Sequence, residues 1–484
     1  RDPNASKLSS PPLSGAPNTL LLETWFIWVD IIFAHNYTPH SNPSPQIMRN
    51  SHTVRPFAFI LAFTALGMGP LLAVGFRLPN QDPMGIARGN AFVATADNPS
   101  AIYYNPAGIT QLEGHQLSAG LYFITTNVEF ESLAGVSAGT DETFQAVPQI
   151  HYVYSPGGSK WSFGLGVYAP YGLGIDYGKN TPFNTVAESG KLLYASINPV
   201  AAYQFTDTLS LAVGLTLNYS EATFERSIGL VPGDQFKFEG DGFATGFNAG
   251  LLWQPHPQWS FGVNYRSHTE VSYEGDSKPE VAPPTSTKTA IDFPQFVDVG
   301  VSFRPNEDWN FEVNVDWTDW DVVNTSTFVG TAAGNVPFPF KYDSSLMYEF
   351  GVTRYFDDGW WASAGYIYSE NSVPDATLSP LNPDSDLHLG SVGVGKRGEV
   401  WSWAVGYHFA YNGGRDVRGN DPNPFSGQSA NGEFKTFTDI GKIWAFVKAA
   451  KGEGTYPYSF AEDLRILRWL YEAEANGGVI QDGS

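Results

Sequence analysis

Leu209-Ser210-Leu211-Ala212-Val213-Gly214-Leu215-Thr216-Leu217-Asn218-Tyr219-Ser220 alternates without a break, large apolar residues at the odd positions and small or polar ones at the even positions. A period of two belongs to a β-strand, whose successive side chains leave on opposite faces. Two further segments repeat the pattern. Trp309, Phe311, Val313, Val315 and Trp317 face away from Asn310, Glu312, Asn314, Asp316 and Thr318. Trp259, Phe261, Val263 and Tyr265 face away from Ser260, Gly262, Asn264 and Arg266. Soluble β-sandwiches alternate too, but their strands usually stop at about five or six residues. These run to about ten and carry aromatics at their ends, as strands do when aromatic girdles mark the two membrane interfaces.

Fourteen segments of this kind lie near residues 117-128, 144-156, 160-170, 191-206, 208-222, 242-254, 258-273, 287-304, 308-321, 341-356, 359-371, 385-397, 399-412 and 433-448. Their connections alternate in length. Tight ones occur at Ser155-Pro156-Gly157-Gly158, Thr206-Asp207, Pro255-His256-Pro257, Pro305-Asn306-Glu307, Asp357-Asp358-Gly359 and Gly398, and the links between them are much longer. Outer-membrane barrels have this asymmetry of short turns and long external loops, and an even strand number puts both ends on one side. The fold expected is therefore all-β, a 14-stranded antiparallel transmembrane β-barrel over residues 115-448.

Composition narrows the function. Charged residues make up 16% of the 484, aromatics 15%, and there are 50 glycines. No stretch after residue 75 is apolar enough to cross a bilayer as a helix. The absence of cysteine removes disulfides, thiolate catalysis and Cys-based metal sites together. A formal charge of −22 argues against nucleic acid, which needs clustered Lys and Arg. The nine histidines form no ligand pair, so neither a metal nor a cofactor is expected. Asp384 with Asp386 reads as turn chemistry rather than a Ca²⁺ site. Gly135-Val136-Ser137-Ala138-Gly139 matches a hydrolase nucleophile elbow, but that motif needs a strand before it and a helix after it, and this copy falls in the first long loop. The chain is not expected to be an enzyme.

From Met48 a short basic region with Arg49 and Arg55 leads into the apolar run Phe57 to Leu66 and a small-residue exit at Ala73, the pattern of a secretory signal peptide over 48-73. Residues 1-47 read as an upstream extension. After Lys448 the tail, 449-484, contains a capping box at Ser459 and Glu462 and a helical run through Leu464, Ile466, Leu467 and Leu470 that stops at Gly477-Gly478.

Between signal peptide and first strand, residues 74-114 are rich in Gly and Ala and do not alternate. They contain Gly75-Phe76-Arg77-Leu78, Gly85-Ile86-Ala87-Arg88-Gly89-Asn90-Ala91 and Ala96-Asp97-Asn98-Pro99-Ser100-Ala101-Ile102-Tyr103-Tyr104-Asn105-Pro106-Ala107-Gly108. This segment closely resembles the N-terminal hatch of the FadL/TodX family, and further matches occur at Tyr168-Ala169-Pro170-Tyr171-Gly172-Leu173, Gly262-Val263-Asn264-Tyr265-Arg266-Ser267 and Pro383-Asp384-Ser385-Asp386-Leu387-His388. The resemblance covers roughly Gly75 to Ile440. It implies a bacterial outer-membrane barrel, plugged from within, that takes up hydrophobic small molecules such as long-chain fatty acids or hydrocarbons. The molecules enter near the outer loops and leave sideways into outer-membrane lipid through a gap by a kinked third strand. A monomer is expected.

By the same resemblance Asn105, Pro106 and Ala107, followed by Gly108, lie against that kink, and Gly75 and Phe76 contact ligand. The kink itself is expected at Pro170-Tyr171-Gly172, because proline cannot donate to the ladder. Two alternatives stand beside this: Pro170 ends the strand, or the kink lies earlier, near Gly164 or Gly166. Alternation turns Arg266 into the lumen, and Arg354 with it. Arg266 either receives a ligand carboxylate or, the preferred reading, pairs with lumenal Glu312 or Asp316. The rivals to hydrophobic uptake are a polar porin and a barrel enzyme or adhesin.

Overall fold

The computed structural model describes residues 76–140, 143–229, 234–280, 282–424 and 426–450. The expected extension, the signal peptide, Gly75 and the tail helix lie outside the described residues.

Among the described residues the wall consists of β1 (Gly114–Ser132), β2 (Thr143–Ser155), β3 (Trp161–Asp176), β4 (Ser189–Gln204), β5 (Leu209–Ser227), β6 (Gln235–His256) and β7 (Trp259–Arg266 continued by Thr269–Pro279). It goes on through β8 (Thr285–Phe293 and Phe296–Asn306), β9 (Trp309–Thr318), β10 (Ser345–Tyr355), β11 (Trp360–Ser369), β12 (Leu387–Lys396), β13 (Trp401–Val417) and β14 (Gly432–Ala450). Each pairs antiparallel with its neighbours in sequence, and β14 pairs back onto β1 from His115↔Ala450 to Ser132↔Gly432, which closes the ring.

The alternation now has a direction. Val213 and Leu215 on β5 are 65% and 63% exposed, whereas Ser210, Thr216 and Asn218 on the other face are buried. On β9 the apolar Phe311, Val313, Val315 and Trp317 are exposed and Asn310, Glu312, Asn314, Asp316 and Thr318 are buried. A barrel that shows its apolar face outward is built for lipid. The strands also outrun their expected ends at the long-loop side: β1 reaches Ser132, β6 starts at Gln235 and β13 reaches Val417. There the outer face carries ion pairs instead of apolar residues, Lys237 with Glu225 across the strands at 2.8 Å and with Glu239 along its own strand at 2.7 Å, then Lys278 with Glu239 and Lys288 with Glu274 across the strands. The charges break the apolar alternation, which is why sequence pattern alone ended these strands early.

The lumen is filled by residues 76–113, nearly all buried. Inward-facing glycines make room for them. A Cβ at Gly262 would stand 2.2 Å from the Val93 carbonyl oxygen, one at Gly351 2.6 Å from that of Arg88, and one at Gly406 2.7 Å from that of Pro83. At Gly365 it would stand 2.1 Å from the Gly89 nitrogen, and Gly89 itself has φ 58°, which glycine tolerates best. Backbone cannot swing aside as a side chain can. Gly365→Ala should therefore displace the plug at the usual overpacking cost of about 1–3 kcal/mol. Hydrogen exchange of amides 86–93 should quicken by about tenfold, 1.4 kcal/mol, while the barrel keeps its heat-modifiable mobility; unchanged exchange would mean that the glycine bed does not hold the plug.

Candidate functional site

The plug is held together by short, well-capped turns. Asp82 caps α1 (Pro83–Ala87), its carboxylate accepting from the Met84 nitrogen at 2.9 Å and the Gly85 nitrogen at 3.1 Å, with Pro83 in the first turn, where its missing N–H costs nothing. Gly89 and Asn90, both at positive φ, follow it. After α2 (Ala101–Tyr104), Asn105 caps the 3₁₀ turn Pro106–Gln111 by accepting from the Ala107 nitrogen at 3.1 Å. The same amide donates to the Val93 carbonyl at 2.8 Å and to the Leu251 carbonyl of β6 at 2.9 Å. Gly108 packs on Ala96, whose carbonyl oxygen would lie 2.3 Å from an added Cβ. Asn105, Pro106 and Ala107 therefore bond and pack on Gly250 and Leu251 of β6, and the turn that they begin meets the third strand through Ile109 at Gly164.

What meets the third strand beyond Tyr168 is the beginning of the plug. The β2–β3 ladder runs from Tyr154↔Phe163 to Ile150↔Val167 and stops, although β3 continues to Asp176. On its other side the β3–β4 register shifts between Tyr168 and Tyr171. The kink is thus at Ala169-Pro170, inside a strand that Pro170 does not end, and the ladder is unbroken at Gly164 and Gly166. Those two glycines instead seat Ile102 of the plug, 2.9 Å from an added Cβ at each. The edge of β3 that β2 leaves free is taken by plug backbone. The Leu78 nitrogen donates to the Pro170 carbonyl at 2.7 Å, the Gly172 nitrogen donates to the Phe76 carbonyl at 2.9 Å, and Arg77 bridges to Tyr171. Gln81 adds a bond from Nε2 to the Ala169 carbonyl at 2.8 Å. Phe76 inserts its ring among Trp320, Phe293 and Tyr171, at centroid distances of 5.0, 5.5 and 6.0 Å.

Charges tie the plug to the opposite wall. Arg77 forms a two-pronged pair with Asp316, at 2.8 and 2.6 Å, adds a bond to Thr318 at 2.7 Å, and lies flat over the Phe296 ring at 3.6 Å. Arg88 pairs with Glu312 at 3.1 Å, and that carboxylate also accepts from the Ala94 nitrogen at 2.8 Å. Asp97 binds Arg397 at 3.0 Å and Arg304 at 3.4 Å. Glu312 and Asp316, the carboxylates expected to pair with Arg266, are thus committed to the plug. Arg266 donates instead to the Tyr168 hydroxyl at 2.7 Å. Arg354 is corrected as well: it sits at the short-turn rim, 3.4 Å from Asp308 and stacked on Trp309.

The remaining candidates carry no site chemistry. Ser137 lies in the three-residue strand Ser137–Gly139, paired with β1 and followed by no helix. Asp384 accepts from the nitrogen and hydroxyl of Ser372, and Asp386 from the Asn371 nitrogen, as loop carboxylates do. His268 sits on Asp292 at 2.7 Å and His388 on Tyr366 at 2.6 Å, both partly exposed. Sequence reasoning missed Arg77 and Arg88; the signal was that they are the two cationic residues between Phe76 and Glu113.

Removing one partner of a buried pair leaves an uncompensated charge, at about 3–5 kcal/mol. Asp316→Asn should accordingly free the first residues of the plug. Limited proteolysis and hydrogen exchange should show residues 76–82 opening in a barrel that still folds, and full protection would mean that the Arg77 pair is dispensable.

Comparison with known proteins agrees with this architecture. Residues 65–433 match the family model described as Outer membrane protein transport protein (OMPP1/FadL/TodX). The long-chain fatty acid transport protein of Escherichia coli O6:H1 is 22% identical over 456 residues, 84% of this chain and 94% of that protein. The crystal structure of a Pseudomonas aeruginosa FadL homologue superposes with a TM-score of 0.70 at 16% identity, covering 78% of this chain and all of the other. That of the Pseudomonas putida toluene transporter TodX gives 0.62 at 16% identity, covering 78% and 99%. With its closed lipid-facing wall, its internal plug and a family match over most of its length, this chain is a member of the OMPP1/FadL/TodX family of outer-membrane transport proteins.

Proposed function

We propose that the chain is a monomeric, passive channel that admits long-chain acids or hydrocarbons from outside the cell and releases them sideways into the membrane between β2 and β3. One observation carries the reading: the ladder between these strands ends at Ile150↔Val167, and among the described residues the edge beyond it is taken by the plug, through the backbone of Phe76 to Leu78 and the Gln81 amide. Gln145, Val147, Gln149 and His151 of β2 are buried near this break. Above it, Phe76 lies in an apolar nest that continues through Tyr194, Leu192 and Phe238 toward the loops. A hydrophobic molecule that replaces Phe76 in this nest withdraws the segment that fills the β3 edge. Lateral exit then spares it the transfer of apolar surface into water. Asn105 to Gly108, bound to β6 and to Ala96, anchor the lower plug, so that only the upper segment moves. A polar porin is disfavoured because the lumen is packed with protein.

Arg77 and Tyr171 are a non-hydrogen-bonded antiparallel pair, the register in which side chains stand closest and an engineered disulfide fits best. The native chain has no cysteine to interfere. The double variant Arg77→Cys/Tyr171→Cys should take up labelled fatty acid when reduced and stop when oxidised. Normal uptake by the oxidised form, correctly inserted, would exclude release past β3. Binding of saturated acids should also tighten with length, by about 0.8 kcal/mol or roughly fourfold in Kd for each added methylene; affinity independent of length would remove the hydrophobic-uptake reading.

A further inference from the structure

Three carboxylates on adjacent strands line one small cavity between wall and plug, and one cation lines it with them. Asp298 of β8 stands directly across the ladder from Asp316 of β9, and Glu349 of β10 stands across from Asn314, two residues before Asp316. All three carboxylates are buried. Like charges opposed across a ladder repel, so this arrangement needs counter-charge. Arg77 of the plug supplies it once, with both prongs of its fork taken by Asp316. Among the described residues neither Asp298 nor Glu349 has an ion-pair partner.

The neutral groups on the cavity wall are also short of donors. The cavity, about 10 Å³, lies between these carboxylates, Asn264 of β7, and Arg77 and Asn90 of the plug. It has room for roughly one particle the size of a water molecule. Asp298 and Asn264 face each other across the β7–β8 ladder, and the Oδ1 atom of each is buried with no hydrogen-bond donor. The Asn264 amide nitrogen donates to the Tyr103 carbonyl at 3.3 Å. Glu349 accepts from the Asn314 amide at 2.9 Å. A buried acceptor without a donor and a buried carboxylate without a cation are each costly alone, and here both meet at a single cavity.

We propose that this cavity is a Ca²⁺ site, with Asp298 and Glu349 as its charged ligands and the Asn264 amide oxygen as a neutral one, and that the bound ion holds the start of the plug to the wall. Carboxylate chemistry of this kind does not need the histidine pairs whose absence argued against a metal. Donors that are all oxygen select a hard cation over copper or zinc, which favour nitrogen and sulfur. Two unbalanced carboxylates call for a double charge. Mg²⁺ sheds its water reluctantly and keeps several waters, for which this cavity has no room, whereas Ca²⁺ takes carboxylate and amide oxygens in flexible geometry. Because Arg77 and Asn90 complete the wall of the site, the ion binds the seated plug and favours it by mass action.

The test uses the full barrel, folded in detergent from EDTA-treated protein at pH 8, with Ca²⁺ or Mg²⁺ as the probe. Hydrogen exchange of amides 77–90 should slow by the factor 1 + [Ca²⁺]/Kd, about tenfold when free Ca²⁺ is about ten times Kd. Mg²⁺ should leave exchange unchanged. Asp298→Asn and Glu349→Gln remove charge with little change of shape, and each should abolish the Ca²⁺ effect in a barrel shown to be folded by heat-modifiable mobility. A carboxylate with a purely structural role would give no Ca²⁺ dependence to lose. Exchange in the native barrel that is indifferent to Ca²⁺ overturns the proposal without recourse to any variant. Equal slowing by Mg²⁺ overturns it as well, by marking a screening of the acidic surface, and a Ca²⁺ effect that survives Asp298→Asn does so by placing the ion elsewhere.

Discussion

A strand inside a bilayer has no water to satisfy its N–H and C=O groups, so a membrane barrel must pair every strand on both edges. The rest of this structure is organised around the one place where the wall does not meet that demand by itself. Beyond Val167 the third strand has no partner in β2, and Pro170, which lacks an N–H, and a register shift on the β4 side mark the break. The first described residues of the plug complete the sheet in place of a wall strand. The covering segment is held by two backbone hydrogen bonds, the Gln81 amide, the Phe76 ring in its nest and the Arg77–Asp316 pair, whereas a wall strand is bonded along its whole length. The break in the wall and the first described residues of the plug thus meet in one contact.

Keeping a plug inside a barrel raises a second problem, because its polar backbone and the inward polar face of the wall are both taken out of water. The chain solves it with two devices. Inward glycines at 262, 351, 365 and 406 let the two backbones approach closely, and a small set of side chains then bonds across the remaining space. Glu312 alone receives Arg88 and the Ala94 nitrogen, and Asn105 bonds both the plug and β6. These bonds are fixed in number and direction, so the plug has one seat. Arg266 departs from this pattern. It is a buried cation that bonds the Tyr168 hydroxyl and lies among the rings of Tyr103, Tyr168 and Phe296 without a carboxylate partner.

The lipid face is simpler. It needs only apolar side chains at every second position, ended by charge where the strands rise into water, as at Lys237 and Glu239.

Much of this was legible in the residues alone. Alternation from Leu209 to Ser220 and its repeats, with tight turns separated by long links, specifies fourteen antiparallel strands, because the period of two is a property of the strand backbone and does not depend on the neighbours. The plug before the first strand was implied by the resemblance of residues 75 to 108, since their lack of alternation says only that they are not a wall strand. The pairing across the barrel was not legible. That Arg77 would meet Asp316, 239 positions away, that Asn105 would seek β6, and that Phe76 to Leu78 would cover the β3 edge all depend on how far the plug penetrates and how it turns, which is set by closing the ring. Alternation says that Arg266, Glu312 and Asp316 share the lumen, but in a closed barrel the plug stands between the strands and takes the carboxylates first. The sequence by itself therefore determined the wall and its orientation, since these follow from local periodicity; tertiary structure alone decided which charges are spent and which is left free, since that follows from distances between residues that no local pattern relates.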